Sequence, residues 1–232
     1  MKKSIIIPCF NEADNIKKVL ERVKAQINLG EDNIIIVDDG STDGTREVLK
    51  NLDKNENIIV ILNENNMGKG FAIRTALDLK SNLNDILIIQ DADLEYNPED
   101  YPNLILPFLE ADADIVYGSR FLGGSKYRRI HFFWHFLANK ILTFLSNVFT
   151  NLNMTDMETG YKAFKKDVIK SIYLYENSFG FEPEVTIKLS KKKYKFFEVP
   201  VSYVGRSYDE GKKIKLKDAF IAFYCIIKYG IK

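Results

Sequence analysis

The sequence predicts an α/β fold with a mostly parallel central sheet, and three observations carry that prediction. Short β-branched apolar runs alternate with helical patterns up to Arg120, the rhythm of βαβ crossovers. The runs are continuous instead of alternating, as strands covered on both faces require. Each run ends in a polar signature, which gathers carboxylates and small residues at the edge where open α/β sheets bind ligands.

The elements follow in order. Residues 4–8 read as a strand ending in Pro8-Cys9-Phe10-Asn11-Glu12, and 14–25 as a helix with Ile16, Val19, Leu20 and Val23 at helical spacing. A second strand, 34–37, runs into Asp38-Asp39-Gly40-Ser41-Thr42-Asp43-Gly44-Thr45 and a helix over 45–52. The third, 58–62, leads to Asn65-Asn66-Met67-Gly68-Lys69-Gly70 and a helix over 69–80. The fourth, 86–89, stops at Gln90-Asp91-Ala92-Asp93-Leu94-Glu95. Pro98 after Asn97 then opens a helix over 98–109. A fifth strand, 115–119, ends in Gly118-Ser119-Arg120.

After Arg120 the character changes. Residues 130–150 contain no Gly or Pro and read as one long helix. His131, His135, Asn139, Thr143, Ser146, Asn147 and Thr150 make a narrow polar stripe; apart from Lys140 the rest is apolar. So wide an apolar arc exceeds what a surface helix needs, so it must be buried in the protein, in a partner, or in a bilayer interface. Near the C-terminus, Lys212, Lys213, Lys215 and Lys217 precede the apolar run 219–227, and Lys228 and Lys232 follow it. That run is too short to span a membrane but suits an in-plane anchor on an anionic surface, with packing on the domain as the alternative.

Bulk properties narrow the function classes. At 232 residues, 46% hydrophobic and 28% charged, the chain is an ordinary globular protein. A net charge of +1 gives no global field for a polyanion, and no nucleic-acid partner is expected. Cys9 and Cys225 stand too far apart in sequence for a metal motif and form no disulfide framework, which fits a reducing cytoplasm. The start is too short for a signal-peptide core, and no window approaches the ~18 apolar residues of a spanning helix. A cytoplasmic, soluble or peripheral protein is expected, its oligomeric state open. The expected organisation is one domain over 1–213, with halves 1–120 and 121–213, and an interfacial helix over 214–232.

The strand-end motifs carry the chemistry. Asp91, Asp93 and Glu95 are hard oxygen donors that suit Mg²⁺ or Mn²⁺ with a phosphate-bearing substrate. A P-loop would need Gly at Asn63 and Ser or Thr at Gly70, and no Gly-x-Gly-x-x-Gly follows the first strand. Asp38 and Asp39 can accept from a base N–H or cap the following helix with Ser41 and Thr42, and Asp43 reads as a cap. His131 and His135 have metal-ligand spacing but lack the Glu of His-Glu-x-x-His, so they read as part of the polar stripe.

Taken together, Pro8-x-x-Asn11-Glu12, Asp38 to Thr45, Asn66-Met67-Gly68-Lys69-Gly70 and Asp91-Ala92-Asp93-Leu94 resemble family 2 glycosyltransferases of the GT-A fold. Asp156-Met157-Glu158-Thr159-Gly160-Tyr161-Lys162 and Arg206-Ser207-Tyr208-x-x-Gly211-Lys212-Lys213 resemble the dolichyl- or polyprenyl-phosphate mannosyl- and glucosyltransferase branch. The resemblance implies a nucleotide-sugar-binding domain in which Pro8, Phe10, Glu12, Asp38 or Asp39, Lys69, Asp91 and Ala92 meet the donor. It implies that Asp91 and Asp93 hold the divalent ion, with Glu95, where relatives often have Gln, as a third candidate ligand. Arg120, Arg206, Arg128, Arg129 and Lys212 would meet the lipid phosphate. Asp156 and Glu158 are candidates for the base of a hydroxyl-glycosylating relative, or for acids that fix the loop. The expected reaction is inverting transfer of one hexose from a GDP-mannose or UDP-glucose type donor to a polyprenyl phosphate at the cytoplasmic membrane face. The alternatives are transfer to a glycan hydroxyl, nucleotidyl transfer, and a non-catalytic nucleotide-sugar or membrane module.

Overall fold

The apolar runs form strands β1 (Lys3–Cys9), β2 (Asn33–Asp38), β3 (Ile58–Leu62), β4 (Ile86–Ile89) and β5 (Ile115–Ser119) in the computed structural model. Two further strands, β6 (Lys162–Lys165) and β7 (Phe196–Pro200), come from the second half, where the patterning predicts none. The sheet order is β3-β2-β1-β4-β6-β5-β7. Every described pairing is parallel except those of β6, which runs antiparallel to β4 and β5. The structure describes residues 1–52, 57–124, 129–130, 132–207 and 216–231. Arg128, His131, Lys212, Lys213, Lys215 and Lys232 lie outside the described residues.

The helices are α1 (Ile16–Lys24), α2 (Thr45–Lys50), α3 (Lys69–Leu77), α4 (Tyr101–Glu110), α5 (Phe133–Thr150), α6 (Lys166–Lys170), α7 (Phe181–Ser190) and α8 (Leu216–Ile231). Because successive strand residues point to opposite faces, each apolar run feeds two cores. Ile5, Ile7, Ile34, Ile36, Ile86 and Ile88 pack with buried residues of α1, α2 and α4. Ile6, Ile35, Val37, Leu87 and Ile89 pack with those of α3, α5, α6, α7 and α8. Each fully buried side chain of this kind contributes roughly 1.5–3 kcal/mol, so the sheet's centre is the rigid part on which a site can be mounted.

Register places the site. Cys9 lies opposite Asp38, Asp38 opposite Leu62, and Ile6 opposite Ile89. The loops after β1, β2, β3 and β4 therefore leave the sheet side by side at one edge.

The long helix is inside out. Its polar stripe faces the protein: Thr143 and Ser146 are buried, Asn147 donates to the Met154 carbonyl at 2.8 Å, and Thr143 accepts from Met157 N–H at 3.2 Å. Backbone groups of the 154–157 loop need partners once buried, and the stripe supplies them. Most of the apolar arc is left outside, with Trp134 73% and Phe144 65% exposed beside Phe133 and Val148, while Leu142 and Leu145 turn to the core. Helix α8 buries Ala222, Cys225, Ile226 and Tyr229 in the core, packs on α5 and α7, and leaves Phe220, Phe223, Tyr224 and Ile231 exposed. Among the described residues no helix is long and apolar enough to cross a membrane.

Candidate functional site

Two carboxylates stand in the turn after β4, and the residues around them fix its course. Buried Gln90 accepts from the hydroxyls of Tyr101 (2.8 Å) and Tyr161 (2.6 Å) and donates to the Asp91 carbonyl at 2.9 Å. Gly160 passes so close that a Cβ there would collide with Asp91 Oδ2 and the Tyr96 ring. Its N–H donates to the Tyr96 hydroxyl at 2.7 Å, and Tyr96 stacks on Tyr161 with ring centroids 4.5 Å apart. Asp93 Oδ1 accepts from Glu95 N–H at 3.1 Å, closing a turn in which Leu94 takes φ of 63°. That left-handed conformation costs roughly 1–2 kcal/mol for a side-chain-bearing residue, and the Asp93 hydrogen bond offsets part of it.

The remaining carboxylate oxygens meet cations. Lys69 Nζ bridges Asp91 Oδ1 at 2.8 Å and Glu182 Oε1 at 3.1 Å. Burial works against the charge on Lys69, but Asp91 and Glu182 outweigh it and raise its pKa. Arg206 Nη2 meets Asp93 Oδ2 at 3.0 Å and Glu12 Oε1 at 3.2 Å, and its Nε lies 3.5 Å from Glu95 Oε1. Glu95 also accepts from Arg206 N–H at 2.7 Å and from the Tyr203 hydroxyl at 2.6 Å, so both of its oxygens hold the 203–206 segment. Asp93 is pushed up to about 8 by burial and by the Glu95 and Asp91 charges, with Arg206 opposing. Glu12, Asp91, Asp93, Glu95 and Glu182 thus face only two cations among the described residues of this cluster, Lys69 and Arg206. Among the described residues no three His, Cys, Asp or Glu side chains form a ready-made metal cage. Two carboxylates with phosphate oxygens and water completing the shell are the usual way Mg²⁺ is held, so Asp91 and Asp93 fit such an ion.

At the β1–β2 end the two neighbouring aspartates separate in role. Asp39 accepts from Gly68 N–H at 2.6 Å, Met67 N–H at 3.0 Å and Asn63 Nδ2 at 3.1 Å, which pins the loop ahead of Lys69. Gly68 itself has φ of 105°, and a Cβ would strike the Asn177 carbonyl. Asp38 Oδ2 accepts from Arg46 Nε at 2.7 Å and Ser41 N–H at 3.2 Å, while its buried Oδ1 has no hydrogen-bond partner among the described residues. Asp38 therefore keeps one acceptor oxygen without a partner among the described residues, itself shielded from solvent. Asp43 accepts from Thr45 N–H at 3.0 Å and so braces the turn into α2, but the N-cap residue is Gly44, so Asp43 is not the helix cap that its position suggests. Pro8, Glu12 and Ala92 are buried and Phe10 half-buried around this edge.

The other side of the site is cationic. Arg120 forks onto Asp156 through Nε and Nη2, both at 2.7 Å, and its N–H adds a third bond to the same carboxylate at 3.0 Å. Asp156 is completely buried; burial alone would raise its pKa, but Arg120 outweighs it and holds it below the usual carboxylate range. A carboxylate so held does not take protons near neutral pH; it orients Arg120, whose guanidinium lies 5.1 Å over the Tyr203 ring. Arg129 Nη1 donates to the Gly205 carbonyl at 2.9 Å, tying it to the segment that carries Arg206. Glu158 differs. Its Oε1 is buried with no hydrogen-bond partner among the described residues, and burial followed by the Glu182 charge pushes its carboxyl up to about 8.

Sequence reasoning missed Glu182, Gln90, Tyr96, Tyr161 and Tyr203. A signal existed for Glu182: in α7 Glu182, Glu184, Thr186 and Lys188 alternate with apolar residues, so on a helix they fall on two opposite sides and one set must turn inward.

Residues 4–173 match the family model described as Glycosyl transferase family 2. A UDP-N-acetylglucosamine–dolichyl-phosphate N-acetylglucosaminyltransferase of Methanococcus voltae is 29% identical, over 96% of this chain and 94% of that protein. A dolichol-phosphate mannosyltransferase of Pyrococcus furiosus is 28% identical over 91% of this chain, which spans only 59% of that relative's length. Among solved structures, glucosyl-3-phosphoglycerate synthase of Mycobacterium tuberculosis, in complex with Mn²⁺, UDP and phosphoglyceric acid, superposes with a TM-score of 0.74. That superposition covers 99% of this chain and 78% of the other at 19% identity, and it shows a shared fold.

Proposed function

The chain belongs to glycosyl transferase family 2, and from that premise we propose that it moves one hexose from a nucleotide sugar to a polyprenyl phosphate with inversion at the anomeric carbon. The observation that carries this reading is the Arg120–Asp156 fork. A hydroxyl acceptor needs a base, whereas a phosphate monoester, with a second pKa of about 6, arrives already ionised. Asp156 is committed to an arginine, and Arg120 and Arg129 lie against the 203–206 segment, which also carries Arg206, itself paired with Asp93. Arginine grips phosphate bidentately and so orients it. The names of the Methanococcus and Pyrococcus relatives point to the same acceptor class.

In this mechanism the donor lies along the β1–β4 edge, with Asp38 accepting from the base and Glu12, Pro8, Phe10 and Ala92 lining its seat. Mg²⁺ or Mn²⁺ on Asp91 and Asp93 would supply Lewis-acid stabilisation of the departing diphosphate. Lys69 brings a fixed positive charge to the same place, held by Glu182. The lipid phosphate oxygen, oriented by the arginines, attacks opposite the leaving group. The exposed arc of α5 and the outer face of α8 would rest in the membrane interface that carries this acceptor. The test is incubation of purified protein with Mn²⁺ or Mg²⁺, radiolabelled nucleotide sugars of the GDP-mannose and UDP-glucose types, and a polyprenyl phosphate. Chloroform-soluble label that EDTA abolishes is expected; none with any donor would refute the proposal.

A second reading is transfer to a glycan hydroxyl with Glu158 as base, since its Oε1 has no hydrogen-bond partner among the described residues. With its carboxyl raised to about 8 it holds a proton at neutral pH and could serve as base only as the pH rises. On that reading Glu158→Gln abolishes turnover while donor binding survives; on the leading one it leaves lipid-phosphate transfer largely intact.

A further inference from the structure

The guanidinium of Arg206 stands on the oxygen that a divalent ion would need. Asp93 Oδ1 closes the Leu94 turn, which leaves Oδ2 as the oxygen free to bind a cation, and Arg206 Nη2 lies 3.0 Å from it. The same nitrogen reaches Glu12 Oε1 at 3.2 Å, and Nε faces Glu95 Oε1 at 3.5 Å. Three carboxylates, Asp93, Glu12 and Glu95, thus converge on one guanidinium. Arginine has five donors and no acceptor, so it cannot join a metal's coordination shell; it can only yield to it. We propose that Arg206 is the resident cation on the Asp93 side of this acidic seat in the metal-free protein, with Lys69 on Asp91 beside it, and that a divalent ion and the guanidinium occupy the Asp93 side in turn. The inference rests on the reading of Asp91 and Asp93 as the metal-binding pair.

The anchoring of Arg206 suits an exchange. Its backbone is held by the bond from its N–H to Glu95 at 2.7 Å, and the segment by Tyr203 O–H to Glu95 at 2.6 Å. The long side chain can leave Asp93 while its Cα stays in place. Arg120 packs over Tyr203 on the same segment, and Arg129 bonds Gly205 next to it. An expelled guanidinium therefore has the other two arginines nearby, and the three-arginine grip for a phosphate is assembled only after the cation has bound. The exchange imposes an order: metal with donor first, anionic acceptor second.

Occupation of the seat by Arg206 lowers apparent metal affinity by the fraction of molecules in which the seat is open. The experiment is Mn²⁺ titration of the full chain without donor or acceptor, followed by loss of the free-Mn²⁺ electron paramagnetic resonance signal. Wild type, Arg206→Gln and Arg206→Lys are compared. Arg206→Lys keeps the charge but loses the fork that reaches Asp93, Glu12 and Glu95 together. The exchange predicts that Arg206→Gln binds Mn²⁺ about tenfold tighter than wild type, and Arg206→Lys at least about threefold tighter. Tightening in Arg206→Gln with Arg206→Lys equal to wild type would reduce the effect to net charge and overturn the exchange. Unchanged or weaker binding in both variants would overturn it as well. If Arg206→Gln does not fold, the Lys variant decides alone. Because no transfer is measured, a failure of the proposed acceptor leaves this result standing, and the reverse.

Discussion

Asp156 and Glu158, two residues apart, show how environment divides one kind of side chain into two roles. Asp156 is charged because Arg120 surrounds it; its removal should be structural in effect. Asp156→Asn strands a buried guanidinium, and we predict a loss of about 3–5 kcal/mol in urea unfolding, where a simple catalytic base would leave stability unchanged. Glu158 carries the opposite bias, with a carboxyl raised from 4.5 to about 8. The folded chain keeps a proton that the unfolded chain releases, so this contribution is complete below about pH 4.5 and disappears as pH rises through 8. Glu158→Gln cannot ionise. We therefore expect the wild-type Tm to fall relative to the Gln variant between pH 5 and 9, and parallel curves would contradict the assignment. At this scale Asp91 and Asp93 were legible because they end an apolar run. Glu182 and Lys162 were not, since nothing in one sequence marks a charged residue as buried until its partners are known: Lys162 is 1% exposed inside β6.

Elements were legible where their period was clean. Strands β1 to β5 fall within a residue or two of the apolar runs, because buried parallel strands need unbroken β-branched residues. Strands β6 and β7 escaped because Lys162-Ala163-Phe164-Lys165 and Phe196-Phe197-Glu198-Val199-Pro200 mix charge with apolar residues, and β6 is an antiparallel insertion between β4 and β5. Helix α5 teaches more. Its stripe was readable, but which side faced the protein was not, because hydrophobicity alone points the apolar arc inward. The buried 154–157 backbone reversed that choice. The chain has a single tryptophan, Trp134, on the exposed arc. If the arc meets a bilayer, anionic vesicles should shift its fluorescence to the blue, and Phe133→Ser with Trp134→Ser should weaken vesicle sedimentation while Tm moves little, as surface changes within about 0.5 kcal/mol do. Sedimentation unchanged by the double substitution would refute a membrane role for α5.

For the whole molecule, the sheet supplies one rigid edge and the second half supplies what that edge acts upon. The loops after β1, β2, β3 and β4 carry Glu12, Asp38, Lys69, Asp91 and Asp93 at one edge, while α7, the 203–206 segment, the end of β5 and the 154–157 loop add Glu182, Arg206 and the Arg120–Asp156 fork. On the proposed reading the acidic side of the site faces the donor and the arginine-bearing side the acceptor, a polarity that a net charge of +1 conceals. That polarity makes the ionisation state of the acceptor the central claim. The most direct measurement offers the enzyme, with one donor and Mn²⁺, a polyprenyl phosphate and the corresponding polyprenol in parallel. Arginines that orient an ionised nucleophile predict a glycosyl phosphodiester from the phosphate and no glycoside from the alcohol. Comparable transfer to the alcohol would contradict the account.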